Sequence, residues 1–218
     1  MADQSSTDFH YYCRYCGKQM FARIQTDTYK WSFFPNLKDA MAAAEDGQTI
    51  VLLDDIDNSD QTAAVTGNGK TVTLDLNGHT LNAWLELKTT ESNLTIQDSK
   101  GSGKLQAPDD WDALSVKAGN ATIKSGTLAS SSKGSPISFG DGKDCGTLTI
   151  EDGSFETGYV YIGYDGGKTV ISGGAFHELR VHGDATLSGG TFDTVSRYKS
   201  GSTIAPADLL KDGYVFVN

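Results

Sequence analysis

Proline is nearly missing from this chain of 218 residues: there are 4, against 25 glycines. That imbalance excludes a disordered Pro/Gly linker, which would be rich in both. Long helix-forming runs are scarce too, while Ser and Thr are plentiful. Short β segments joined by tight turns fit such a composition best. Basic charge is in deficit, with 18 Lys plus Arg against 28 Asp plus Glu and a net charge of −10. An acidic surface repels phosphate backbones and anionic headgroups, so nucleic acid is excluded as an expected partner. No apolar run approaches the roughly 18–20 residues of a membrane helix, so no membrane insertion is expected. What remains is enough for a core: 38% of residues are hydrophobic and 10% aromatic. The opening MADQSSTDFH has neither the basic region nor the apolar stretch of a signal peptide. Taken literally that means a cytosolic protein; a mature fragment behind an added Met looks the same, and is the expected reading.

Internal similarity is the strongest signal present. The segments LTIEDGSF (148–155), TVISGGAF (169–176) and ATLSGGTF (185–192) share one plan. An aliphatic residue is followed by a variable one, a turn with Gly, a small residue and Phe. ATIKSGTL (121–128) and LDLNGHTL (74–81) follow it with a terminal Leu, and LTIQDSKGSGKL (94–105) carries a longer turn. Anchors at Leu76, Ile96, Ile123, Ile150, Ile171 and Leu187 are spaced 20, 27, 27, 21 and 16 residues apart, each enough for one coil.

A second alternating strand follows each Phe or Leu: WLEL (84–87), ALSV (113–116), PISF (136–139), YVYI (159–162) and ELRV (178–181). Alternation turns Leu85/Leu87, Leu114/Val116, Ile137/Phe139, Val160/Ile162 and Leu179/Val181 inward. No single coil can bury its apolar face alone, and stacking like residues removes that problem. The corners need positive φ, which Gly78, Gly126, Gly153, Gly174 and Gly190 supply; Asn77 and Asp152 suit the same geometry.

The expected fold is therefore all-β: a single-stranded, right-handed parallel β-helix capped by a short N-terminal α-helix. An up-and-down barrel or sandwich is the alternative, and the coil register argues against it. Residues 1–30 form an N-terminal segment, and 31–218 the β-helix domain. NLKDAMAAA (36–44) reads as the cap helix, with Asn36 as N-cap and Leu37, Ala40, Met41 and Ala44 on its apolar face. The closing segment, about 203–218, supplies an apolar turn and a final strand.

The order CRYCGKQMFARI, a short Ala-rich helix, GQTIVLLDDI and TVTLDLNGHTL resembles a module of large surface proteins of Gram-positive gut and oral bacteria. ADLLKDGYVFVN is similar to its closing segment, so the resemblance runs from about Tyr12 to the end. It implies a pectate-lyase-like β-helix on an extracellular, cell-wall-attached protein, and no pectate lyase activity, because a scaffold is not a function.

Cys13 and Cys16, followed by Gly17, form one C-x-x-C knuckle, and thiolates so spaced can chelate a tetrahedral metal. His10 is the expected third ligand. Only one knuckle is present, so a fourth ligand must come from a partner, a trimmed segment or a residue such as Asp8. Structural zinc, a Cys13–Cys16 disulfide and free thiols all stay open; redox catalysis lacks its βαβ context. Cys145, in a polar turn, reads as a lone free thiol.

No convergent catalytic set is legible. Asp54, Asp55, Asp109, Asp110, Asp141 and Asp144 sit in turns, and turn chemistry accounts for them. Outward residues of the second-strand face are Trp84, Glu86, Ser115, Ser138, Tyr159, Tyr161, Arg180 and His182. Glu86 stands four coils from Arg180, about 19 Å at roughly 4.8 Å per coil. Tyr159, Tyr161 and Tyr164, with Arg180 and His182 on the next coil, form the candidate ligand-binding patch, since rings with polar tips suit a sugar or a protein epitope. Cross-strand aromatics also stabilise exposed sheets, which is the rival reading of the same residues. The expectation is a monomeric, non-catalytic adhesion, binding or spacer module, its partner a host glycan or host protein; the alternative is a polysaccharide lyase or hydrolase using Glu178, Arg180 and His182.

Overall fold

The computed structural model describes residues 10–57, 65–66, 69–108, 110–131, 133–163, 167–199 and 202–217. The chain is all-β, a β-solenoid of about five turns with less regular rungs at either end. Its three walls are built from parallel strands, each wall contributed by successive coils.

The first wall begins at Gln48–Leu52 and continues through Thr71–Asp75, Asn93–Gln97, the ends of Leu114–Ile123 and Ile137–Ile150, then Lys168–Ile171 and Asp184–Leu187. Its register stacks Ile50, Leu74, Ile96, Ile123, Ile150, Ile171 and Leu187 in one column. All are essentially unexposed. One anchor differs from the sequence reading. Leu74, not Leu76, stands under Ile96, and Leu76 is buried at the corner that follows. The cause is a longer corner in this coil, where both Asn77 and Gly78 take positive φ.

The second wall stacks Ile56, Leu81, Leu105, Leu128, Phe155, Phe176 and Phe192. In its last rungs the rings pile face to face, Phe155 on Phe176 with centroids 4.5 Å apart and Phe176 on Phe192 at 4.8 Å. Offset stacking of this kind adds to the area each ring buries. The third wall aligns Leu85, Leu114 and Ile137, then Val160, Leu179 and Val195, all inward. Between them, Phe139 and Ile162 join the same column set.

Corner glycines have the backbone their positions demand. Gly78, Gly126, Gly153, Gly174 and Gly190 lie at φ 84°, 99°, 125°, 99° and 101°. Carboxylates tie these corners between coils rather than facing a ligand. Asp98 accepts the amides of Gly78 (2.7 Å) and Gly103 (2.6 Å), Asp75 those of Asn77 and Ser99, and Asp55 that of Thr80.

Helix α1 (Leu37–Ala43) starts at Asn36, whose side chain accepts the Asp39 amide at 2.8 Å. Leu37, Ala40, Met41 and Ala44 are buried in the common core. Ahead of it, Ala22–Asp27 and Lys30–Phe34 form an antiparallel hairpin about the turn at Thr28–Tyr29, and Ala22–Asp27 also pairs antiparallel with Gln48–Leu52. Ala22 and Ile24 thereby enter the same core as the coils.

The closing segment departs from expectation. Ser202–Ile204 pairs antiparallel with Thr191–Lys199, and Pro206–Leu209 makes a 3₁₀ turn that buries Leu209. The final strand is not formed: Tyr214, Val215, Phe216 and Val217 carry no strand pairing and stay exposed. Leu210 makes the last bridge, to Leu187, and the corner turn leaves the residues beyond it without a neighbouring edge. No helix among the described residues is long and apolar enough to cross a membrane.

Candidate functional site

The outward positions of the third wall form columns of their own. Parallel register puts Glu86 beside Ser115, Ser115 beside Ser138, Ser138 beside Tyr161, Tyr161 beside Arg180 and Arg180 beside Ser196. Alternation thus brings together the residues named from sequence, with the exception of Tyr164, which lies outside the described residues.

Arg180 is the hub. Its guanidinium lies over the Tyr159 ring, 3.8 Å from the centroid, close enough for a cation–π contact. Its Nε donates to Glu178 Oε1 at 2.6 Å and its Nη2 to Oε2 at 3.0 Å, a bidentate pair on one strand. Those bonds raise the Arg180 pKa; burial opposes them, and the nearby Tyr159 and Tyr198 assist. The Tyr159 and Tyr161 rings meet edge to face at 6.4 Å, and Tyr161 approaches His182 at 5.3 Å. His182 then stacks on Tyr198, with centroids 4.4 Å apart and planes within 6°. Burial, reinforced by Arg197 and Arg180, lowers the His182 pKa below its usual value. A lowered imidazole pKa means a neutral ring at pH 7.

Tyr198 was missed from sequence. The signal existed: Val195 continues the inward column, so Ser196 and Tyr198 face outward, one rung beyond Arg180 and His182 respectively. A second aromatic pair was also missed. Trp84 and Trp111, on neighbouring coils, stack with centroids 4.3 Å apart and planes at 22°. Trp84 was correctly placed outward; Trp111 sits in the turn before its strand, where alternation carries no information.

Glu86 is outward by register yet fully buried, because two lysines close over it. Lys88 Nζ and Lys117 Nζ each pair with one of its oxygens, while remaining 52% and 45% exposed themselves. Burial pushes the Glu86 carboxyl up, but the bonds from Lys117 and Lys88 prevail and hold it below the usual range. Four rungs separate Glu86 from the rung of Arg180, about 19 Å at roughly 4.8 Å each. The carboxylate pair of a glycosidase needs roughly 5–9.5 Å. Glu86 and Glu178 do not meet that geometry.

Cys13 and Cys16 lie at the other end, in a turn between two short strands. Tyr11–Tyr12 pairs antiparallel with Gln19–Met20, Cys13 N–H donates to Lys18 O at 2.8 Å, and Gly17 takes φ 70°. Amides of Tyr15 and Cys16, with the Cys16 thiol, lower the Cys13 pKa against a small effect of burial. Both thiols are free. Among the described residues no group of three His, Cys, Asp or Glu stands close enough together to hold a metal, so Cys13, Cys16 and His10 do not form such a group here. His10 is drawn elsewhere, its Nδ1 pairing with Asp54 Oδ2, to which Gln19 Nε2 also donates at 2.6 Å. Burial pushes the Asp54 carboxyl up, and His10, the Asp55 amide and Gln19 outweigh it. Cys13 and Cys16 supply two of the four donors of a structural zinc site. Asp8, the other ligand considered, lies outside the described residues. Cys145 is half-buried, and its thiol donates to Val116 O at 3.0 Å.

Comparison with family models, with curated proteins and with solved structures gave no match for this chain.

Proposed function

We propose that this chain is a non-catalytic module of an extracellular bacterial surface protein, a right-handed parallel β-helix that binds a glycan through the outward face of its third wall. Right-handed crossover is the general rule for parallel strands joined through a connection, and α1, with its apolar face on the core, closes one end of the stack. The observation that carries the reading is the contiguous patch of Tyr159, Tyr161, Arg180, His182 and Tyr198, assembled from separate coils and only partly buried. Flat rings edged by hydroxyls and a guanidinium match the two faces of a sugar, apolar C–H on one side and hydroxyls at the rim. A host protein is the other occupant such a face suits. The bidentate Glu178–Arg180 pair favours the spacer reading, since it leaves the guanidinium internally engaged.

The test is a glycan and host-protein panel with Tyr159→Ala and Tyr161→Ala as controls. Binding lost in both variants, with wild-type melting retained, is the expected result. Absence of any ligand leaves the spacer. Cleavage of a polysaccharide that disappears with Arg180→Ala or His182→Ala overturns the non-catalytic reading in favour of a lyase or hydrolase.

A further inference from the structure

The same outward face carries a second feature that the tyrosine patch does not use. On its N-terminal rungs a buried carboxylate holds two lysines side by side, next to a tryptophan stack. Lys88 and Lys117 occupy equivalent positions on neighbouring coils, one residue beyond the partnered Leu87 and Val116. Two ammonium groups so placed repel each other. Glu86, between them and fully buried, offsets that repulsion by taking one lysine on each oxygen. The triad nevertheless keeps one surplus positive charge, on a chain whose net charge is −10. Both lysine side chains remain about half exposed, and each ammonium has three donors, so hydrogen-bonding capacity is left over beyond Glu86. Trp84 lies two residues before Glu86 on the same side of the strand, about 7 Å along it. It stacks on Trp111, which is 44% exposed.

We infer that Trp84, Trp111, Lys88 and Lys117 form an anion-binding subsite of an extended glycan-binding face, the tryptophans carrying a sugar ring and the Glu86-ordered lysines its carboxylate or sulfate group. The inference rests on the glycan reading of this wall and specifies its ligand. Charge complementarity selects the occupant: an isolated cationic pair on an acidic surface attracts an acidic group and disfavours a neutral chain. Between this subsite and the tyrosine patch the outward column runs through Ser115 and Ser138, both buried. From Glu86 to Tyr161 is three rungs, about 14 Å at roughly 4.8 Å each, a span that a short stretch of polysaccharide bridges.

Three probes test it by calorimetry with the full chain: hyaluronan, whose charge is carboxylate; dextran sulfate, whose charge is sulfate; and neutral dextran. The expected result is binding to one or both charged polymers, at least tenfold tighter than to dextran and weakening as salt rises. Binding to only one identifies which acidic group is recognised. Trp111→Ala, at an exposed ring, should weaken that binding about tenfold without changing the melting temperature. The triple variant Glu86→Gln, Lys88→Gln, Lys117→Gln avoids an unpaired buried charge and should abolish the preference for charged polymers. Equal affinity for dextran, or charged-polymer binding untouched by both variants, overturns the subsite. If Tyr159→Ala still abolishes binding in that case, the glycan face survives and only its acidic specificity falls. No binding to any of the three overturns both.

Discussion

Ile96, Ile123, Ile150 and Ile171 lie directly above one another with no exposed surface, whereas Tyr214, Val215, Phe216 and Val217 at the C-terminal end are 47%, 75%, 42% and 85% exposed. The two regions are comparably apolar in sequence. They differ in what lies on either side. A middle rung finds a matching rung above and below, so each aliphatic residue is covered twice. The last segment has a neighbour on one side at most, and hydrophobicity alone does not supply a partner edge. In a solenoid, burial is a property of position in the stack more than of the residue.

Breaking a middle rung should have the largest effect. Ile150→Ala removes buried methyl groups from a closed column and is expected to cost about 2–5 kcal/mol in denaturant unfolding; a loss below about 1 kcal/mol would mean the column is not where stability resides. Gly173→Ala comes next. Its added Cβ would sit 2.1 Å from the Glu151 carbonyl oxygen of the neighbouring coil, so the coils must separate locally. A cost of about 1–3 kcal/mol is expected, and a neutral result would show that the inter-coil spacing is soft. At the end of the chain, Val215→Ser with Val217→Ser should stay within about 0.5 kcal/mol of wild type. A larger loss would place those residues in the core.

Two smaller effects sharpen the contrast. Chelator treatment, or Cys13→Ser with Cys16→Ser, should leave the melting temperature of the coils unchanged, since no three such donors group together among the described residues; a clear drop, with metal found in the pure protein, would reverse that. The smallest is a pH effect at His182. Its folded pKa is depressed, so the folded protein prefers the neutral ring. That contribution is complete above the unfolded pKa of about 6.5 and is lost as pH falls through the folded value. The melting temperature of wild type relative to His182→Gln should therefore decline from about pH 6.5 downward, measured as a difference so that carboxylate titration cancels. A flat difference would show that neither burial nor Arg197 and Arg180 shifts the ring.

Much of the wall was legible because every coil repeats one environment. Five corner glycines, the Phe155–Phe176–Phe192 ladder and the inward third-wall columns each follow from period-two alternation plus a recurring turn. Register was harder where the turn changed length. Leu74 and Leu76 share a face, and only the two-residue positive-φ corner at Asn77–Gly78 decides between them. The site was half legible for the same reason. Tyr161 and Arg180 sit on strands, with Tyr159 and His182 one residue beyond a strand end, and all four were placed by alternation, while Trp111 and the partner of His10 depend on turns and on contacts between distant residues. His10 and Asp54 are 44 positions apart, and ligand spacing within C-x-x-C says nothing about that attraction.

The parallel register also determines how the molecule would carry load. Hydrogen bonds between rungs point along the direction of stacking, from Gln48–Leu52 at one end toward Asp184–Leu187 at the other. A pull applied at the two ends strains those bonds lengthwise, and the outermost rung takes it before the next. Under tension such a stack pays out thread in coil-sized steps, like a spring unwinding from its tips, while the coils still seated keep their outward faces intact.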